Sequence, residues 1–163
     1  MNIVNTNQKQ YEYFRTHMTL DAEFRIQQLT KLRDIVKENE ARFMEALKQD
    51  LGKSQFESYT TEIGLFYEEI NLMIKKTRKW SKPKRVRTPM AHFLSSSKIH
   101  YQPYGKVLII SPWNYPFQLA LIPLAGAIAA GNVVTLKPSR NSKYTTKLLV
   151  EVINNNFDEG SLI

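Results

Sequence analysis

The sequence predicts an α/β fold, with N-terminal helices followed by the start of a doubly wound parallel sheet that is incomplete within this chain. Three observations predict it. An apolar run at 107–110 and a β-branched run at 132–136 bracket a helix-like apolar segment at 117–130, closed by Gly131. Strand, helix and strand at this spacing make a βαβ unit, which implies parallel pairing. Residues 1–80 carry helical periodicity, and residues 157–163 lead toward a third strand as the chain ends.

Taken in order, residues 1–7 read as a frayed terminus and 8–15 as a short helix with Tyr11 and Phe14. Thr19 reads as the cap of a longer helix, with Asp21 and Glu23 in its first turn. That helix runs to Asp50, because Leu29, Leu32, Val36, Phe43 and Leu47 recur mostly at three and four. Asn39 marks a break or bend, and Gly52 suits the position after a helix end. Residues 54–59 read as a connection. Thr60 or Thr61 then caps a helix whose apolar face includes Ile63, Phe66, Ile70 and Trp80.

Residues 81–97 form a basic, Pro-containing stretch, read as an extended loop because of Pro83 and Pro89. Residues 98–102 alternate and suit an exposed or edge strand. Residues 103–105 turn the chain into the first core strand. After the βαβ unit, 142–153 reads as another helix, stopped at residues 154–156 by three Asn. Parallel sheets need several strands with both faces covered. The chain therefore reads as the first part of a domain, with helix 117–130 left partly uncovered.

The 163 residues are 42% hydrophobic, enough for a packed core. Pro123 and Gly126 interrupt the best apolar run, so no membrane-spanning helix is predicted. The N-terminus lacks a basic region followed by an apolar core, so no secretory signal is read and a cytoplasmic location is expected. Cys is absent, which excludes disulfides, thiolate metal sites and a cysteine nucleophile within this chain. His17, His92 and His100 share no metal-ligand spacing, and no metal site is expected. The net charge of +8 raises nucleic-acid binding as a reading. Much of that charge lies in one run: Lys75, Lys76, Arg78, Lys79, Lys82, Lys84, Arg85 and Arg87. A solvated helix end followed by a loop accounts for such a run, and no nucleic-acid partner is expected.

Ligands of parallel sheets sit beyond the carboxyl ends of the strands. Two polar clusters fall there, at 111–115 and 137–140. The first turn lacks G-x-G-x-x-G, the usual pyrophosphate cradle. In its place stands an elbow stiffened by Pro112 and Pro116. It presents Asn114, whose amide suits hydrogen-bond donation to a developing oxyanion, or capping of the following helix. Trp113 and Tyr115 read as packing residues or walls of a cleft. Lys137, at the end of the second strand, suits a ribose hydroxyl or a phosphate, or stands as a surface lysine. Arg140 adds positive charge close by.

The run from Pro103-Tyr104-Gly105 through Pro112-Trp113-Asn114-Tyr115-Pro116-Phe117 and Gly126–Asn132 to Lys137-Pro138-Ser139 resembles the aldehyde dehydrogenase superfamily, and most of all its class 3 branch. Asp50-Leu51-Gly52-Lys53, Thr61-Glu62-Ile63 and Glu68-Glu69-Ile70 are similar to that branch as well. The resemblance implies a Rossmann-like domain and NAD- or NADP-dependent oxidation of a small-molecule aldehyde to a carboxylic acid. It implies a Cys nucleophile that forms a thiohemiacetal and a Glu base, both downstream. By position it implies that Asn114 is the oxyanion-hole amide and that Ser111, Pro112 and Trp113 lie near the cofactor. Lys137 matches the lysine that binds the adenosine ribose, with Ser139 and Arg140 beside it. Residues 98–104 resemble an oligomerisation arm, implying a homo-oligomer or association with a missing C-terminal part. The family commonly has an acid where Arg140 stands. Arg cannot accept ribose hydrogen bonds but can pair with a 2′-phosphate, so use of NADP is expected. Without its Cys the chain alone is expected to be inactive. The alternative reading is a nucleotide- or partner-binding half-domain without catalysis.

Overall fold

The computed structural model of the chain describes residues 3–158, 162 and 163. It opens with α1 (Ile3–Arg15), α2 (Ala22–Glu38), α3 (Glu40–Leu51), the short α4 (Gln55–Ser58) and α5 (Gly64–Trp80). A hairpin of β1 (Lys84–Val86) and β2 (Ser97–Ile99) follows. Then come β3 (Lys106–Ile110), α6 (Gln118–Ala129), β4 (Val133–Lys137) and α7 (Lys143–Asn156). β3 and β4 pair in parallel, with Lys106 opposite Val133 and Ile110 opposite Lys137, so the expected βαβ unit is present. Gly105 precedes it and Gly131 lies within it, between α6 and β4, with φ of 104° and 90°. At Gly131 a Cβ would also stand 2.8 Å from the Thr19 carbonyl, so only glycine fits this return from α6 into β4. Asn132 locks the same corner, accepting from the Gly105 N–H and donating to the Ala127 carbonyl.

The helical lead-in departs from expectation where tertiary contacts compete with local signals. α1 begins at Ile3, within the stretch expected to fray. Its Asn7 accepts from Lys106 Nζ, and its buried Gln10 donates to the Val134 carbonyl and accepts from the Thr135 hydroxyl. Asp21, rather than Thr19, caps α2, accepting from the N–H groups of Glu23 and Phe24. The helix expected to run to Asp50 is two helices. Asn39 returns its amide to the Ile35 carbonyl and ends α2 there. Residues 54–59 are not a plain connection. Ser54 caps α4, which continues through a π-helical turn, Tyr59–Ile63, into α5. Thr60 and Thr61 lie inside that continuous run and bond back to carbonyls of Phe56 and Glu57 instead of capping it.

Further on, the stretch read as a loop contains β1, which pairs antiparallel with β2. The strand expected over 98–102 is Ser97–Ile99. The basic run straddles the end of α5 and this hairpin. Arg78 reaches Glu23, while Lys75, Lys79, Lys82, Lys84, Arg85 and Arg87 stand exposed with no ion pair among the described residues. The third-strand expectation falls partly on residues 159–161, outside the described residues. At its far side Leu162 accepts from the Val134 N–H, on the edge of β4 away from β3.

α6 is covered on most of its surface, with Pro123 left exposed. Ala120, Leu121, Leu124, Ala125 and Ile128 are all buried against α2, α5 and the sheet. The open surface is instead one face of β3, where Leu108 and Ile110 are 59% and 65% exposed while Ile109 is buried. No helix among the described residues is long and apolar enough to cross a membrane, and none of their His, Asp or Glu side chains cluster as metal ligands.

Candidate active site at the strand ends

The elbow 111–117 joins β3 to α6. At its start the Ser111 N–H donates to the Lys137 carbonyl, extending the β3–β4 ladder by one bond. At its end Phe117 is fully buried, edge-on to Phe43 at 4.9 Å and Phe66 at 5.6 Å. Between these anchors the chain is forced outward. Pro112, Trp113 and Asn114 are exposed, and Tyr115 is 40% exposed.

The first N–H groups of α6 go to a carboxylate remote in sequence. Glu62 Oε2 accepts from the Phe117 N–H at 2.9 Å and the Gln118 N–H at 3.1 Å. Its Oε1 meets Lys53 Nζ at 2.6 Å. Glu62 is 0% and Lys53 7% exposed. Lys53 also donates to the Thr61 hydroxyl and stands 4.2 Å from the centroid of the Tyr115 ring. Two consequences follow. The start of α6 has no N–H left for a phosphate at Phe117 or Gln118, which agrees with the missing glycine cradle. Asn114 does not cap α6 and makes no hydrogen bond to any described residue. Its amide is free to serve a ligand.

The turn after β4 is built on the same device. Asp50, at the end of α3, accepts from the N–H groups of Tyr144 and Thr145, at 3.1 and 2.7 Å, and so caps α7. Ser139 is engaged within the turn: its Oγ accepts from the Asn141 N–H and its carbonyl from the Thr146 hydroxyl. Lys137 and Arg140 are exposed and have no ion pair among the described residues.

The residues singled out in the sequence thus assemble at one end of the β3–β4 pair, the carboxyl end. Ser111 is buried there, with an Oγ that has no partner among the described residues. An orphan hydroxyl, two unpaired cations and a free amide suit a polar, anionic ligand such as a dinucleotide. Sequence reasoning missed Lys53, Glu62 and Asp50 as builders of this site. The family resemblance runs through Asp50, Lys53 and Glu62, but no local pattern ties them to the strand ends, because the bonds from Glu62 and Asp50 span 55 and 95 residues.

A cleft of about 1100 Å³ lies at the opposite end of α6, between Trp80, Tyr101 and Ala129. Its buried cation, Arg25, is already spent. It donates to the carbonyls of Ala129 and Leu20 and to the Ser81 hydroxyl, and burial pushes its guanidinium below the ordinary value, with Asp21 pulling the other way. The convergence of free polar groups places the candidate site at the strand ends, not in this cleft.

Strand, elbow, buried helix and parallel strand define the opening of a doubly wound, Rossmann-like α/β domain. Residues 3–162 match the Aldehyde dehydrogenase family, and the chain belongs to it. It is 45% identical to 4,4′-diaponeurosporen-aldehyde dehydrogenase of Staphylococcus aureus over 97% of its own length, but only 35% of that protein. It is 46% identical to rat aldehyde dehydrogenase family 3 member B1 over 91% of this chain and 32% of that one. The structure of substrate-bound S. aureus AldH superposes with a TM-score of 0.94 at 43% identity, over 98% of this chain and 35% of that one. A Streptococcus pyogenes succinic semialdehyde dehydrogenase, solved with NADP+, shares the fold at a TM-score of 0.82 and 18% identity, over 99% of this chain and 36% of that one. The chain therefore spans about a third of the length of the relatives it matches, their N-terminal part.

Proposed function

We propose that this chain supplies the N-terminal, oxyanion-donating part of an NAD(P)-dependent aldehyde dehydrogenase that oxidises a small-molecule aldehyde to a carboxylic acid. The observation that carries this reading is the exposed, unbonded Asn114 beyond the end of β3, relieved of helix capping by Glu62. When a thiolate adds to an aldehyde, charge grows on the carbonyl oxygen. A fixed amide N–H stabilises that charge more in the transition state than in the ground state. When bound, NAD or NADP would supply the hydride acceptor. Lys137 and Arg140 would hold its adenosine end, Lys137 at the ribose and Arg140 at a 2′-phosphate, with Ser111, Pro112, Trp113 and Ser139 lining the approach. The sequence contains no Cys, so the nucleophile comes from outside these 163 residues, and this chain by itself is inactive. The β1–β2 hairpin, with Met90, Phe93 and Leu94 exposed at its tip, is the surface through which copies or the remaining part associate.

The test exchanges residues 3–162 into the matching segment of the S. aureus relative. Asn114→Ala is then expected to lower kcat by about 10²–10³ with little change in the aldehyde KM. Unchanged kcat would refute the oxyanion role. The isolated chain, incubated with aldehyde and either cofactor, should give no NAD(P)H absorbance. The second reading, a nucleotide-binding half-domain without catalysis, is favoured by the two unpaired cations at the end of β4. It requires saturable NADP binding by the isolated chain that Lys137→Ala abolishes.

A further inference from the structure

The geometry points to Lys53 and Glu62 as positioning residues that set the place of the Asn114 amide. This inference rests on the oxyanion role proposed for Asn114. Glu62 spends both carboxylate oxygens, one on the Phe117 and Gln118 N–H groups and the other on Lys53. That fixes the elbow three residues beyond Asn114. Lys53, on the other side of the pair, stands under the Tyr115 ring and so fixes the residue immediately after Asn114. Tyr115 is held a third way, its carbonyl accepting from the Leu119 N–H. On the other flank, Ser111 is tied to Lys137.

Asn114 itself makes no hydrogen bond to any described residue. The flanking anchors hold the chain around it, and the strongest of them is the buried ion pair. Glu62 can reach the start of α6 because it lies in the π-helical turn Tyr59–Ile63. Such turns alter the direction of side chains and recur at functional sites. Gly64 permits that turn: a Cβ there would stand 3.0 Å from the Tyr59 carbonyl. A neutral acceptor would suffice to cap the helix, and the charge of Glu62 answers the buried Lys53. The charged pair therefore holds the elbow at Tyr115, Phe117 and Gln118, all on the C-terminal side of Asn114. A displacement of about 1 Å in a catalytic group costs on the order of 10² in rate.

The test is a double-mutant cycle in a whole dehydrogenase that carries residues 3–162 as its N-terminal part, such as the exchanged S. aureus enzyme loaded with cofactor. Glu62→Gln is expected to lower kcat about tenfold or more while the aldehyde KM moves less than about threefold. In the Asn114→Ala background the same substitution should lower kcat by less than about twofold, because the group it positions is gone. Lys53→Met combined with Glu62→Gln removes both charges and leaves none buried alone, so it serves if the single variant does not fold. It should show the same coupling. Equal losses of kcat with and without Asn114 would make the pair merely structural and overturn the inference. So would an unchanged kcat in Glu62→Gln, provided Asn114→Ala is impaired. If Asn114→Ala itself keeps full kcat, the oxyanion reading falls, and the positioning role falls with it.

Discussion

The two helices that follow β3 and β4 begin in the same way and with different consequences. Each takes its N-cap from a carboxylate in the helical lead-in, Glu62 for α6 and Asp50 for α7. The Glu62 cap is fully buried and neutralised by Lys53. The Asp50 cap is half-buried and has no ion pair among the described residues. At the first, cap and ion pair combine with the Phe43–Phe66–Phe117 cluster to make a rigid elbow that displays one amide. At the second, the turn is polar and leaves Lys137 and Arg140 unpaired. Under the proposed function the difference would separate two tasks: a held donor where geometry decides rate, and exposed cations where charge suffices.

The comparison can be broken most directly at Glu62. Glu62→Ala leaves Lys53 buried without a partner and two helix N–H groups unsatisfied. It should cost about 3–5 kcal/mol, measured as a shift in urea unfolding midpoint at constant m-value. Asp50→Ala should cost only about 1 kcal/mol, within the range of a cap without a buried ion partner. Equal costs would mean that the two caps are not different in kind.

Asn114→Ala sharpens the same contrast. It should leave stability within about 0.5 kcal/mol while removing most turnover in the whole enzyme, since its side chain makes no bond in the fold. Arg140→Glu probes the other turn. An acid there can accept ribose hydroxyls and repels a 2′-phosphate, so the NADP-to-NAD preference should fall by about tenfold or more, read from the ratio of kcat/KM values. An unchanged ratio would leave Arg140 without a part in cofactor choice.

The smallest effect concerns the helical support behind the elbow. The Tyr67 hydroxyl donates to Glu40 at 2.7 Å. Burial, then this bond and the charge of Glu40, raise its phenol above the ordinary value. The sign follows: a raised folded value means the contribution is whole below about pH 10 and is lost as pH rises through the folded value. Tyr67→Phe should cost about 1 kcal/mol at neutral pH and should flatten the alkaline loss of stability seen in the parent chain. A parallel decline in both proteins would exclude Tyr67 as its source.

The βαβ unit is legible in the chain before folding, because its signals are local. β-Branched runs, two prolines around Asn114 and glycines at positive φ act within a few residues of backbone. The same short-range chemistry put Asn114, Lys137 and Arg140 at the strand ends and made the family resemblance legible there. Which groups cap which helices depends on the packed fold. Thr19, Thr60 and Thr61 have the right chemistry for caps, yet Asp21 and Ser54 take that role, and Glu62 and Asp50 cap α6 and α7 from 55 and 95 residues away. The physical reason is that a buried N–H must find an acceptor, and a folded chain offers acceptors from anywhere. Burial of α6 was settled in the same way, by α2 and α5 closing over it, which no periodicity in its own sequence specifies.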